Sequence, residues 1–214
     1  MTGFKIGEKH TYTDWGLRCY DYKITVPEKQ KNLIQVPGRN GKIDVSLPEQ
    51  RQAYGHRKIE IYCDAPDRNY EQWTALTSKI ANYLQDEYLS VTPDFDSAYH
   101  YTGWATVAVS KDWKEGSDII FTVDAEPFKL KNVPTTKQVI ATAEGTQATL
   151  VNSKKKVNPK IITTGAVTIE IGDNSYAYNA GTYARAGFYL PQGSTDITVT
   201  GDATVTFEYT EGKI

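Results

Sequence analysis

In Val167-Thr168-Ile169-Glu170-Ile171 an apolar β-branched residue alternates with a polar one. That period of two belongs to a strand with one face in a core and the other in water. Related β-branched or aromatic runs recur along the chain: Ile59–Tyr62, Thr106–Val109, Ile119–Val123, Gln138–Ala141, Pro159–Thr163, Ala166–Ile171, Asp196–Val199 and Ala203–Phe207. Turn residues such as Glu115-Gly116-Ser117 separate them. Short strands broken every ten residues or so predict a mainly β protein of the sandwich type.

One segment departs from that period. Between Asn69 and Leu84 the apolar residues Trp73, Leu76, Ile80, Tyr83 and Leu84 recur at helical spacing. Asn69 followed three residues later by Gln72 fits an N-cap with its reciprocal partner. A single amphipathic helix packed on a sheet makes the first part of the chain α+β. Its apolar stripe is read as core packing in preference to a partner-binding face.

Composition divides the chain. All 4 tryptophans (Trp15, Trp73, Trp104, Trp113) precede residue 130, and the remainder is rich in Thr, Val, Ile, Ala and Gly in short alternating runs. The expectation is two domains, residues 1–130 and 131–214, meeting near Lys131-Asn132-Val133-Pro134. Of the 214 residues 39% are hydrophobic and 23% charged, enough for a packed core and unlike a disordered chain. The 24 Lys and Arg are balanced by 26 Asp and Glu. That balance argues against a dedicated nucleic-acid binder, which needs a basic surface to neutralise phosphates. No apolar run approaches the ~18 residues of a membrane span, and the N-terminus lacks the apolar stretch of a signal peptide. The expectation is no membrane insertion.

The segment from Glu28 to Gly41 begins with charges, continues through Leu33, Ile34 and Val36, and ends in two turn dipeptides, Pro37-Gly38 and Asn40-Gly41. Pro37-Gly38 suits a type II turn and Asn40-Gly41 a tight hairpin turn. Spacing alone leaves two readings open: a wide hairpin with a decorated tip, or an arm that packs on another subunit.

Catalytic chemistry finds little support. There is no G-x-S-x-G elbow, and His10, His56 and His100 lie far from one another and from Cys19 and Cys63 in sequence. The 2 cysteines cannot make a disulfide framework; both are read as buried structural thiols, with a reducing site of synthesis. No C-x-x-C or H-x-x-x-H pair offers a zinc site. Asp94-Phe95-Asp96 and Gly172-Asp173-Asn174-Ser175 supply too few oxygens at calcium spacing and read as solvated turns. Asp94, Asp96, Asp112 and Glu115, near Trp104 and Trp113, could imitate a sugar site, but polar loops beside core tryptophans account for them as economically. No Gly-rich phosphate loop is present, and Lys154-Lys155-Lys156 reads as a solvated loop tip. The expectation is a protein that is not an enzyme and uses no cofactor or metal.

The residues Gly7, His10, Asp14-Trp15-Gly16-Leu17, the stretch Val36-Pro37-Gly38-Arg39-Asn40-Gly41-Lys42-Ile43-Asp44-Val45, Arg57, the helix of 69–84, Tyr99-x-Tyr101-x-Gly103 and Glu126-Pro127-Phe128-Lys129 fall in a particular order. In that order the N-terminal half resembles the distal tail protein (Dit) family of long-tailed, siphovirus-type phages and prophages. Asn158–Ile161, Gly165–Ile169 and Leu190–Gly193 resemble, more loosely, the galectin-like β-sandwich that follows in that family.

The resemblance implies a β-sandwich or barrel-like N-terminal domain with one helix, then a galectin-like sandwich. It implies a structural role: a hexameric ring, the baseplate hub, joining the tail tube protein to the tail-associated, tail-tip protein and the host-adsorption apparatus. The ring often carries receptor-binding proteins. The protein would be made in the bacterial host cytoplasm and reside at the virion tail tip. A ring needs heterologous contacts between subunits, and Leu33, Ile34, Val36, Pro37, Gly38 and Arg39 are the expected contributors. Tyr176, Tyr178, Tyr183 and Tyr189 are read as half-buried strand residues, which leaves little aromatic surface for direct host recognition. The alternative function is a carbohydrate-binding β-sandwich module that recognises cell-surface glycans, since lectin-like sandwiches share this strand pattern.

Overall fold

The computed structural model describes residues 3–45, 53–65, 69–112 and 116–214. The chain forms two compact units, one of residues 1–129 with Ile214 and one of residues 130–213.

The first unit contains strands β1 (Phe4–Ile6), β2 (Lys9–His10), β3 (Arg18–Ile24), β4 (Leu33–Gln35), β5 (Lys42–Asp44) and β6 (Arg57–Asp64), then helix α1 (Tyr70–Leu84), then β7 (Glu87–Pro93), β8 (Tyr99–Asp112) and β9 (Gly116–Ala125). Seven of the strands make an antiparallel sheet in the order β2-β1-β7-β8-β9-β6-β3. The run Ile59–Tyr62 lies in β6, where Ile59, Ile61 and Cys63 are all buried, on the same face as Phe121 and Val123 of β9. The sheet curls until β1 and β3, which are not hydrogen-bonded to each other, meet through their side chains. Phe4 and Tyr22 touch edge to face at 5.7 Å, and Phe95 stacks on Tyr22 at 4.9 Å. This is the barrel-like form of the N-terminal expectation.

Helix α1 starts where the sequence places it. Asn69 Oδ1 accepts the Gln72 amide at 2.8 Å, and the Gln72 side chain returns to the Asn69 amide, completing the capping box. Trp73, Ile80 and Leu84 are buried in the core of the unit, with Leu76 and Tyr83 partly buried against it. Each large apolar side chain so buried stabilises by about 1.5–3 kcal/mol. The stripe therefore serves the protein's own core. Beyond the helix Asp86 takes a left-handed φ of 60°, a conformation Asp tolerates better than most residues, and turns the chain into β7.

The second unit contains β10 (Lys129–Lys131, which starts at the boundary), β11 (Thr135–Ala141), β12 (Thr146–Asn152), β13 (Lys160–Thr163), β14 (Val167–Ile171), β15 (Asn174–Tyr178), β16 (Gly181–Tyr183), β17 (Gly193–Gly201), β18 (Ala203–Tyr209) and β19 (Gly212–Lys213). Two four-stranded antiparallel sheets, β11-β18-β13-β16 and β12-β17-β14-β15, enclose Val139, Leu150, Ile161, Ile169, Val199 and Phe207. This is a β-sandwich, and every apolar run singled out between residues 138 and 207 contributes to it. Tyr176, Tyr178 and Tyr183 are half-buried as expected. Tyr189 departs from the expectation: it is exposed, with the Lys156 ammonium 4.7 Å from its ring. It precedes the buried Leu190, so alternation turns it outward.

Candidate assembly surface

Among the described residues strands β4 and β5 pair only with each other, Ile34 opposite Ile43 and Gln35 opposite Lys42. The connection between them, Val36–Gly41, holds both turn dipeptides. The Arg39 amide donates to the Val36 carbonyl at 3.2 Å, with Pro37 and Gly38 central. Gly38 and Gly41 have φ of 79° and 81°, which a side chain would resist. The turn at Pro37-Gly38 is thus the expected one, whereas Asn40-Gly41 closes a wider six-residue loop in place of a two-residue hairpin.

The arm is rooted at one end. The Gln30 amide donates to Ala53, the Gly55 amide to Glu28, and Lys29 bridges to Tyr54. Tyr54 packs edge-on against Phe128 at 5.5 Å. Beyond this root, Leu33 and Ile34 are 46% and 49% exposed, Val36 is half-buried, and Pro37, Gly38 and Arg39 are open to solvent. The structure thus places all six candidate residues on one projecting hairpin. A two-stranded hairpin is marginal by itself in water, and this one exposes Leu33 and Ile34. Val26, 75% exposed, and Val45 enlarge the apolar surface at the arm's base. Neither was legible as exposed in sequence, because a valine beside a strand reads as core.

The other motif residues hold the fold. Arg57 is buried; its Nε and Nη2 donate to the Pro127 carbonyl at 3.1 and 2.6 Å, and its guanidinium lies 5.2 Å from the Tyr101 ring centre. Burial lowers the Arg57 pKa, partly offset by Tyr101, yet a guanidinium remains charged. Lys129 pairs with Asp96 at 2.6 Å and lies over Tyr99. The Arg57, Tyr99-x-Tyr101 and Pro127–Lys129 pieces, scattered in sequence, therefore meet.

The first motif closes a second knot. Backbone amides of Tyr12 and Thr13 donate to His10 Nδ1, so the ring proton sits on Nε2 and points to Asp94, at 3.0 Å. The other Asp94 oxygen accepts the Gly3 amide, and Asp14 accepts the His10 amide. That contact, with Lys9 nearby, holds the Asp14 carboxyl below its ordinary pKa. Asp94 and Asp96, expected as solvated turn residues, are both engaged in pairing. Among the described residues no group of three or more His, Cys, Asp or Glu could hold a metal ion.

The cysteines stand opposite each other in β3 and β6, with Sγ atoms 2.7 Å apart. The contact with Cys63 lowers the Cys19 thiol pKa, while the same contact and burial push Cys63 up. Cys63 is buried as expected; Cys19 is only partly so. Trp104 is also corrected: far from being core, it is 54% exposed, with Tyr88 edge-on at 5.4 Å. Its place between Gly103 and the buried Ala105 was the available signal for an outward face. The Asp112 side chain, Trp113 and Glu115 lie outside the described residues.

No protein-family model matches the sequence. No curated protein matches it. Among solved structures it is similar to the crystal structure of the Dit protein (gp 19.1) of phage SPP1, described as a paradigm of the hub adsorption apparatus of phages that infect Gram-positive bacteria. The likeness covers 100% of both chains with a TM-score of 0.71 and 14% sequence identity. The two-unit, mainly β fold of this chain is the Dit fold.

Proposed function

We propose that this chain is a structural protein of a phage or prophage tail tip. It assembles into a hexameric ring that acts as baseplate hub between the tail tube protein and the tail-associated protein, with a docking place for receptor-binding proteins. The observation that carries this reading is the full-length likeness to a hub protein across both units. In this reading residues 1–130 form the ring, residues 131–214 are a galectin-like β-sandwich domain, and the protein has no catalytic role.

The projecting arm supports the same reading. A ring needs one surface of a subunit to meet a different surface of the next, and exposed Leu33 and Ile34 with half-buried Val36 on a rooted hairpin offer such a surface. Negative-stain imaging with light scattering on the purified protein tests it. Six-membered rings with a central channel are expected, alone or after mixing with a tail tube protein. A monomer under both conditions overturns the proposal.

The rival reading, a glycan-binding module, has the exposed Trp104 with Tyr88 in its favour, since a sugar ring stacks on such a face. It predicts saccharide binding that Trp104→Ala abolishes.

A further inference from the structure

We propose that Cys19 and Cys63 are a redox pair that closes into an intrachain cross-strand disulfide by exchange with a low-molecular-weight disulfide. The two residues are direct partners in the antiparallel β3–β6 pair. Residues so opposed have Cα atoms about 4.5–5.5 Å apart, within the range of about 4.4–6.8 Å that a disulfide spans. Their Sγ atoms already face each other at 2.7 Å. Small side-chain rotations therefore bring them to bonding distance with the backbone in place. The register shift between Cys19 and Asp21 marks a bulge in β3 beside the pair, where the edge strand can adjust.

The two sulfurs have different surroundings, and this sets the order of events. Cys63 is buried, whereas Cys19 is partly exposed, with the Thr11 hydroxyl 3.3 Å from its sulfur. Solvent reagents reach Cys19. With glutathione disulfide as oxidant, the Cys19 thiolate attacks one sulfur and expels a glutathione thiolate, leaving a mixed disulfide. Cys63 then loses its proton and attacks Cys19 Sγ, expelling the second glutathione. Two protein thiols are oxidised, one glutathione disulfide is reduced to two thiols, and the two cysteine protons end on them. The closed covalent loop contains the whole arm of β4 and β5 and the root that holds it, so oxidation ties together the strands on either side of the candidate assembly surface.

Thiol counting on the purified full-length chain tests this. After incubation with glutathione disulfide, acid quenching and denaturation, the 2 thiols of each chain should fall to none. The intact mass should drop by two hydrogens with no glutathione attached, and dithiothreitol should restore both thiols. Cys63→Ser should trap glutathione on Cys19, while Cys19→Ser should leave Cys63 unmodified in the folded protein. Two thiols surviving oxidation, a glutathione adduct persisting on the wild type, or disulfide-linked dimers in place of the intrachain bond would each overturn the proposal. Where a single variant does not fold, the wild-type count decides alone.

Discussion

Phe4 and Tyr22 touch at 5.7 Å although their strands stand five places apart in the sheet order β1-β7-β8-β9-β6-β3. Five steps across a flat sheet amount to roughly 24 Å, so the contact measures how far the sheet has curled. Phe4 is fully buried at this seam, roofed by Tyr22 and Phe95, and its amide donates to the buried Thr11 hydroxyl. Phe4→Ala should destabilise the first unit by about 3–5 kcal/mol. Tyr22→Phe, which keeps the ring, should change stability by less than about 0.5 kcal/mol. Urea denaturation followed by tryptophan fluorescence reads both.

Arg57 satisfies the Pro127 carbonyl with two donors and packs on Tyr101. Arg57→Ala should cost about 2–4 kcal/mol, since it leaves that carbonyl without its donors and opens a hole beside Tyr101. Arg57→Lys should recover less than half of the loss, because an ammonium cannot present the planar fork. Equilibrium unfolding of the two variants checks the ranking.

Gly103 lies against the neighbouring strand, where an added Cβ would run into the Asp124 carbonyl and the Ala125 Cα. Backbone there is held by pairing on both sides of β8, so it cannot yield cheaply. Gly103→Ala should destabilise by about 2–3 kcal/mol. At Gly55 the nearest atom is the Glu28 carbonyl at 3.8 Å, and Gly55→Ala serves as the unstrained control.

Glu211 carries a pH dependence of the second unit. Burial raises its carboxyl pKa, but the Ser153 and Thr135 hydroxyls and Lys131 outweigh that and leave it below the ordinary 4.5. A carboxyl depressed by folding contributes its stability in full above the unfolded value and loses it as pH falls through the folded one. The second unit should therefore weaken on acidification below 4.5. Glu211→Gln should flatten that decline and, at neutral pH, cost about 1–2 kcal/mol. Urea midpoints from neutral pH down to about pH 3 provide the test.

Ile34 projects from the arm, 49% exposed and opposite Ile43. Ile34→Asp should leave monomer stability within about 0.5 kcal/mol and weaken self-assembly by about tenfold or more, as loss of an apolar anchor does. Light scattering against concentration measures the second effect and thermal unfolding the first. Assembly equal to wild type would remove the arm from the interface.

The sequence by itself determined what local period and turn chemistry can encode. The alternation in 167–171, the capping box at Asn69 and Gln72, and the type II turn at Pro37-Gly38 are each written within a few residues, and each forms as read. It also carried the resemblance to the Dit family, whose fold the chain has. Only the tertiary structure decided which distant pieces meet: Arg57 on Pro127, His10 on Asp94, Cys19 on Cys63, and Phe4 on Tyr22. These contacts depend on strand order and on the curl of the sheet, which are set by packing of the whole core and leave no trace at short spacing. The same holds for exposure. Ile34 and Ile61 are the same residue type in strand-forming segments, yet one is half exposed and the other in the core, because among the described residues only Ile61 lies on a sheet with a core packed over its inner face.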